Sequence, residues 1–217
     1  MSTRSALVGT ALLALALAAG LAAGCEREPG RGGSGGPVLA APADSPDVFA
    51  TVAPFALQER GGRTVLREDL AGRPWVACFV FTRCSGPCPR VTSTMRKVQD
   101  GLPPASTARL VSFSVDPEWD TPEVLARYAD AVGADPERWL FLTGPEKTVD
   151  DLIRKSFLSP VERAPDGSVP VGESVSHRTQ LVVVDGQGRV RGFYAGETDA
   201  DVGKVLARLA YLEREPR

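Results

Sequence analysis

The chain has few of the residues that build multi-ligand metal centres, and neither sign of charge is in strong excess. One histidine and four cysteines occur among 217 residues, which excludes a site made of several histidines and a scaffold held by many disulfides. Lysine and arginine number 25, and aspartate and glutamate number 27. This balance gives no broad basic surface, so we expect no nucleic-acid partner, and the sequence has no polyacidic tail. The 43% hydrophobic and 24% charged content is typical of one globular domain with an appendage.

The first 24 residues have the pattern of an export signal. Arg4 precedes an uncharged stretch of mostly alanine and leucine, and small residues stand directly before Cys25. This is the anatomy of a secretory signal, and the cysteine that follows resembles a bacterial lipobox, in which the thiol is acylated. A transmembrane anchor is the alternative, but alanine is only weakly apolar. Residues 1–24 are therefore predicted to be a lipoprotein signal peptide with Cys25 lipidated, and the protein to be extracytoplasmic, lipid-anchored to a bacterial membrane.

Residues 25–46 are rich in glycine, proline and serine and lack hydrophobic periodicity, so we expect a flexible linker. The remainder, residues 47–217, is predicted to be the folded domain. Apolar runs predict strands at 75–81, 110–115, 139–142, 180–184 and 190–194. Helical patterns follow at 91–99, 122–132, 146–155 and near the C-terminus.

Turn residues divide these segments. Gly61-Gly62 and Asp185–Gly188 predict hairpins, and residues 158–176 show no period, which predicts a long irregular loop. Strand, helix, strand, helix, hairpin and closing helix together predict an α/β fold. A thioredoxin-like mixed central sheet flanked by helices satisfies this order.

Three cysteines remain if Cys25 carries a lipid. Cys78 lies inside an apolar run, where a cysteine behaves as a small hydrophobic residue. Cys84 and Cys88 instead lie in a turn between a predicted strand and a predicted helix, where the positive end of the helix favours thiolate over thiol. Their C-x3-C spacing puts both sulfurs on one side of a helical turn.

This pair of cysteines is compatible with three roles. A structural disulfide suits an oxidising compartment, although so short a loop restrains the unfolded chain little. A redox-active disulfide would resemble the C-x2-C oxidoreductases with one residue more. The third role is a pair of soft metal ligands. The spacing alone does not separate redox chemistry from metal binding.

His177 follows the long loop and precedes a predicted strand. In a thioredoxin-like sheet the start of that strand faces the loop with Cys84 and Cys88, which predicts that the imidazole approaches both thiols; a surface histidine without a role is the alternative. Two thiolates and one imidazole suit three-coordinate Cu(I), or Cu(II) with an added water or carboxylate. A structural zinc site would need a fourth protein ligand.

Several segments together resemble the SCO/SenC family of copper-handling, thioredoxin-like proteins. They follow the family's order over nearly the whole domain and comprise Phe79–Cys84, Cys88-Pro89, Ser114–Pro117, Asp120–Glu123, Ser176-His177 and Asp185–Tyr194. The resemblance implies that Cys84, Cys88 and His177 bind copper. It also implies a role in assembling the dinuclear copper centre of cytochrome c oxidase, by copper delivery, thiol reduction or both. The expected partner is the copper-site subunit of that oxidase or another copper or thiol client.

Two further positions bear on this resemblance. Asp116 matches an acidic family position near the site. The resemblance implies that it holds a ligand residue in place or contacts the partner protein, and a turn-forming Asp at the end of a strand is an equal alternative. The segment between the cysteines varies in the family, and Pro87 stiffens it and removes one N–H group.

A membrane-tethered metallochaperone is therefore the leading prediction. A thiol–disulfide oxidoreductase that acts on exported client cysteines without carrying metal is the alternative. A peroxidase of the peroxiredoxin type is disfavoured because it uses a T-x-x-C pattern, and Thr82-Arg83-Cys84 is one residue too short. A structural lipoprotein with an inert disulfide is the remaining alternative.

Overall fold

The computed structural model describes residues 44–165, 167–177, 179–196 and 198–215. The predicted signal peptide, Cys25 and the predicted linker up to residue 43 lie outside the described residues. Within those ranges, no helix combines the length and the apolar character needed to cross a bilayer.

The described residues alternate strands and helices along the chain. The strands are β1 (Ala50–Thr51), β2 (Ala56–Glu59), β3 (Thr64–Leu66), β4 (Trp75–Val80), β5 (Arg109–Ser114), β6 (Trp139–Thr143), β7 (Val161–Arg163), β8 (Val175–His177), β9 (Leu181–Val184) and β10 (Arg189–Tyr194). The helices are α1 (Cys88–Gly101), α2 (Pro122–Ala131), α3 (Glu146–Phe157) and α4 (Asp199–Arg214).

One mixed sheet organises the domain, with the strand order β1-β10-β9-β4-β5-β6-β2-β3. Its central strands β4, β5 and β6 are parallel, and β9 pairs antiparallel with β4. Strands β7 and β8 form a separate antiparallel ribbon. Parallel neighbours need crossover connections, and α1 and α2 supply them here. The predicted mixed sheet flanked by helices is confirmed.

Burial on both faces explains why β4 reads as a continuous apolar run. Trp75, Ala77 and Phe79 join the core packed against α3, whereas the alternate residues Val76, Cys78 and Val80 join the core packed against α1, α2 and α4. All six residues are buried. The alternation follows from the two-residue period of a strand, so each half of the run stabilises a different layer.

The predicted elements are confirmed except at their boundaries and in one loop. The hairpin at Gly61-Gly62 joins β2 to β3, with Gly62 at a φ of 85° that favours glycine. Helix α1 begins at Cys88, three residues earlier than predicted. The segment 158–176, predicted to be irregular, contains β7 and most of β8. These strands are three residues long, too short for a periodic pattern.

The folded domain begins before residue 47. Ser45 is buried, and its carbonyl accepts hydrogen bonds from Arg191 Nη2 at 3.3 Å and from Arg208 Nη1 at 2.6 Å. Arg191 also binds the carboxylates of Asp185 and Glu215. Charge-assisted bonds of this kind hold the chain segment against β10 and α4, so the last residues of the predicted linker are packed on the domain.

A buried hydroxyl should contribute measurably to the stability of this core. Ser112 Oγ accepts a hydrogen bond from Trp139 Nε1 at 2.9 Å and lies 3.2 Å from Cys78 Sγ. Ser112→Ala leaves the buried indole N–H unsatisfied, so we expect the free energy of unfolding to fall by about 1–3 kcal/mol. Chemical denaturation measures the loss. Ser93→Ala, at an exposed helix position, is the matched control, and equal effects of the two changes would contradict the assignment.

Candidate metal and redox site

The segment with Cys84 and Cys88 joins the C-terminal end of β4 to the N-terminus of α1. The Cys84 amide donates to the Phe81 carbonyl at 3.2 Å, which forms a turn directly after the strand. Pro87 precedes the first helical residue, Cys88, and Pro89 lies in the first turn, where its missing N–H costs no hydrogen bond. Both thiols are free; Cys84 is half-buried and Cys88 is 1% exposed.

His177 reaches the site from the β7–β8 ribbon. It is the last residue of β8, pairs with Val161 and is 9% exposed. Its Nε2 lies 3.6 Å from Cys88 Sγ, and its ring packs edgewise on Phe81 with ring centroids 6.4 Å apart. The structure therefore brings together two predicted site residues that are 89 positions apart in the sequence.

The distance between Cys88 and His177 is compatible with one shared metal ion. Zinc bonds of about 2.3 Å to sulfur and 2.0–2.1 Å to nitrogen, at a tetrahedral angle, separate the two donors by about 3.6 Å. Among the described residues, however, no group of three or more His, Cys, Asp or Glu side chains is gathered to hold a metal ion. The structure thus shows a donor pair, and the predicted three-ligand set remains a prediction.

Burial dominates the acid–base behaviour of Cys88. Loss of solvent raises the pKa of its thiol strongly, and Cys84 adds to the rise, while a backbone hydrogen bond with Phe81 opposes it. Burial therefore acts on Cys88 against the expected effect of the helix N-terminus, which remains a prediction.

Cys78 has the structural role expected of it. Its side chain is fully buried in β4 beside Ser112, and burial raises the pKa of the thiol to about 12. A fully buried cysteine of this kind packs as a small hydrophobic residue.

Asp116 interacts with the residue before Cys84. Its Oδ2 accepts hydrogen bonds from Arg83 Nε at 3.0 Å and Nη2 at 2.6 Å, and its side chain is nearly buried. The Arg83 guanidinium also lies 4.6 Å from the ring centroid of Trp119, a cation–π contact. Asp116 thus holds Arg83 next to the thiol segment, and Trp119, which is 51% exposed, stands beside them.

Sequence reasoning missed three contributors to this site. Arg83 and Trp119 show no local pattern that marks them. Asp120 precedes Thr121, which caps α2 by accepting a bond from the Val124 amide at 3.4 Å. The Asp120 carboxylate accepts a hydrogen bond from the Thr82 hydroxyl at 2.6 Å. The contacts of Asp120 with Thr82 and of Arg83 with Asp116 and Trp119 join residues more than 30 positions apart. They become visible only when the pairing of β4 with β5 is known.

Comparison with known proteins identifies relatives over most of the chain. The family model described as SCO1/SenC matches residues 43–211. The SCO1 protein homolog of Bacillus subtilis (strain 168) is 35% identical over 158 residues, which cover 72% of this chain and 79% of that protein.

Solved structures share the fold. A SCO1/SenC family lipoprotein from Bacillus anthracis str. Ames has a TM-score of 0.66 and 28% identity, covering 80% of this chain and 98% of its own. BsSco, described as having a disulfide switch and as a member of the Sco family of cytochrome c oxidase assembly proteins, has a TM-score of 0.67 and 29% identity, covering 77% and 96%. Bradyrhizobium japonicum ScoI, solved with copper bound, matches in fold with a TM-score of 0.60 at 23% identity, covering 75% and 99%. The thioredoxin-like fold is confirmed.

The three described thiols should differ sharply in reactivity. We expect iodoacetamide at pH 8 to modify Cys84 at least about tenfold faster than Cys88 or Cys78, because each unit by which burial raises a thiol pKa lowers its thiolate fraction about tenfold. Peptide mass mapping of the reduced, folded protein measures the order. The same reaction in denaturant is the control and should equalise the rates. Modification of Cys88 as fast as Cys84 would contradict the burial of Cys88.

Proposed function

Because the chain belongs to the SCO1/SenC family, we propose that it binds copper and serves the assembly of cytochrome c oxidase. It delivers copper to the dinuclear copper centre, keeps the thiols of that centre reduced, or does both. The observation that carries the proposal is the 3.6 Å contact between Cys88 Sγ and His177 Nε2. A soft sulfur and an imidazole nitrogen are thereby adjacent beside a second thiol in the same turn.

Cys84, Cys88 and His177 form the proposed ligand set for the copper cargo. Cys88 and His177 are already at the separation of two ligands of one ion. Cys84 interacts with the Cys88 thiol and is the proposed third donor. Two thiolates and one imidazole suit Cu(I), and Cu(II) takes the same set with a water or carboxylate added.

The different burial of the two cysteines suits transfer of the ion. Cys88 and His177 are almost fully buried, whereas Cys84 is half-buried. An incoming client thiolate therefore reaches the metal from the Cys84 side and replaces one ligand at a time. A low coordination number leaves room for that exchange, which a closed four-ligand cage would prevent.

Thiol–disulfide exchange is the second candidate function, favoured by the two free thiols of Cys84 and Cys88. Oxidation of the pair forms one S–S bond and releases two protons and two electrons. The electrons reduce a client disulfide to two thiols, so the exchange balances without a further oxidant. The disulfide switch described for BsSco supports this chemistry in the family.

The proposed location is extracytoplasmic, on a bacterial membrane, with Cys25 as the lipid-modified residue. The Bacillus anthracis relative is described as a lipoprotein, which supports a tether of this kind. Residues 25–44 would extend at most about 70 Å, so a lipid at Cys25 would leave the domain free to turn the Cys84 side toward a membrane-bound client.

Anaerobic titration of the reduced domain lacking residues 1–25 with Cu(I) tests the proposal. One equivalent should bind, and Cys84→Ser, Cys88→Ser and His177→Ala should each lower the affinity by about tenfold or more, the loss expected when a direct ligand is removed. Cys78→Ala is the matched control and should keep both stoichiometry and affinity. Wild-type affinity in His177→Ala would refute the ligand set.

The same variants separate the two candidate functions. If thiol exchange operates without metal, the wild type binds no Cu(I), and reduction of a model disulfide depends on Cys84 and Cys88 but not on His177. If copper binding is the function, the wild type binds Cu(I) and His177→Ala loses it. Absence of both copper binding and thiol exchange in the wild-type protein would leave only the structural lipoprotein.

A further inference from the structure

Asp120 is a buried carboxylate with no assigned role. It lies between β5 and α2, and its exposed fraction is 0%. Thr121, the residue after it, caps the helix, so capping does not explain why a charged group is buried here. A carboxylate rarely enters the interior unless its oxygens are satisfied.

The partners of Asp120 lie where β4 leaves the sheet toward Cys84. The Thr82 amide donates to both carboxylate oxygens, at 3.3 and 3.2 Å, and the Thr82 hydroxyl donates to Oδ1 at 2.6 Å. Ser114, the last residue of β5, donates to Oδ2 at 2.6 Å. No cation forms an ion pair with Asp120 among the described residues. The hydrogen bonds of the Asp120 carboxylate therefore link the backbone at Thr82 to Ser114 at the end of β5.

Thr82 lies in the short segment Phe81–Cys84, which leads into the proposed site. Phe81 packs on the His177 ring and accepts the Cys84 amide. Arg83 is held by Asp116. A shift of the Thr82 backbone therefore moves Cys84 relative to both Cys88 and His177, and displacements well below 1 Å alter a metal or disulfide geometry.

We propose that Asp120 is a positioning residue: through Thr82 it holds the Phe81–Cys84 turn in the geometry that lets Cys84 and Cys88 bind copper and pair as a disulfide. The inference rests on the proposed function, since it concerns the same two thiols. Asp120 touches neither thiol and acts only through the backbone of the turn. Its loss should change the properties of the pair and not merely the stability of the fold.

Asp185 provides the matched control for a purely structural carboxylate. It is 2% exposed and accepts bonds from the Gln187 and Arg189 amides and from Arg191. It follows β9, whose last residue pairs with the first residue of β4. The length of β4, about 20 Å, separates it from Cys84. Asp185→Asn and Asp120→Asn therefore make the same chemical change at the two ends of the sheet.

The experiment uses the domain lacking residues 1–25, as wild type and as Asp120→Asn, Thr82→Val, Thr82→Ser and Asp185→Asn. Four quantities are measured on each: the unfolding midpoint, the alkylation rate of Cys84, the Cu(I) affinity, and the equilibrium with glutathione. In the last, one protein dithiol and one glutathione disulfide give one protein disulfide and two glutathione molecules. Thr82→Val removes only the hydroxyl donor, and Thr82→Ser restores it.

We expect Asp120→Asn and Thr82→Val to change the glutathione equilibrium constant and the Cu(I) affinity by about threefold or more, the scale of one hydrogen bond. Thr82→Ser should return both to wild-type values, and Asp185→Asn should lower the unfolding midpoint alone. The proposal is overturned if Asp120→Asn and Thr82→Val behave like Asp185→Asn. Wild-type protein that binds no Cu(I) would refute the copper function, while the alkylation and glutathione measurements would still decide the role of Asp120.

Discussion

Parallel pairing of β4 with β5 is the constraint on which the candidate site depends. The strands run in register from Trp75 opposite Arg109 to Val80 opposite Ser114, so both leave the sheet at the same edge. The segment toward Cys84 therefore begins beside the loop with Asp116 and Asp120, and the hydrogen bonds between them follow from the register. A slip of one residue would turn the buried side chains to the opposite faces and separate these partners.

The site balances burial against reactivity. Cys88 begins a helix, where the dipole favours a negative sulfur, yet loss of solvent raises the pKa of its thiol. The buried Cys88–His177 pair is thus suited to hold an ion that supplies the missing positive charge. Cys84, in the preceding turn, is only half-buried and keeps contact with solvent. One C-x3-C spacing therefore carries two cysteines in different environments.

Support for the thiol segment comes from side chains that never touch a sulfur. Asp120 fixes Thr82, and Asp116 and Trp119 hold Arg83 on two sides. The Arg83 guanidinium thereby forms an ion pair with Asp116 and a cation–π contact with Trp119. Together these contacts order a long side chain next to Cys84. The turn before Cys84 is therefore held on both sides, while Cys84 itself keeps access to solvent.

Local sequence patterns predict the order of the elements, the apolar β4, the start of α2 and the C-x3-C turn, because strand and helix periods and turn residues act over a few positions. The position of His177 before a strand of a thioredoxin-like sheet also predicts that it approaches the thiols, and the family resemblance adds the role of copper ligand. Contacts across long sequence distances bring Cys88 and His177 together, place the histidine at the end of a short ribbon, and set Asp120 against Thr82. Those outcomes depend on strand register and on desolvation, which are set by residues far apart in the chain.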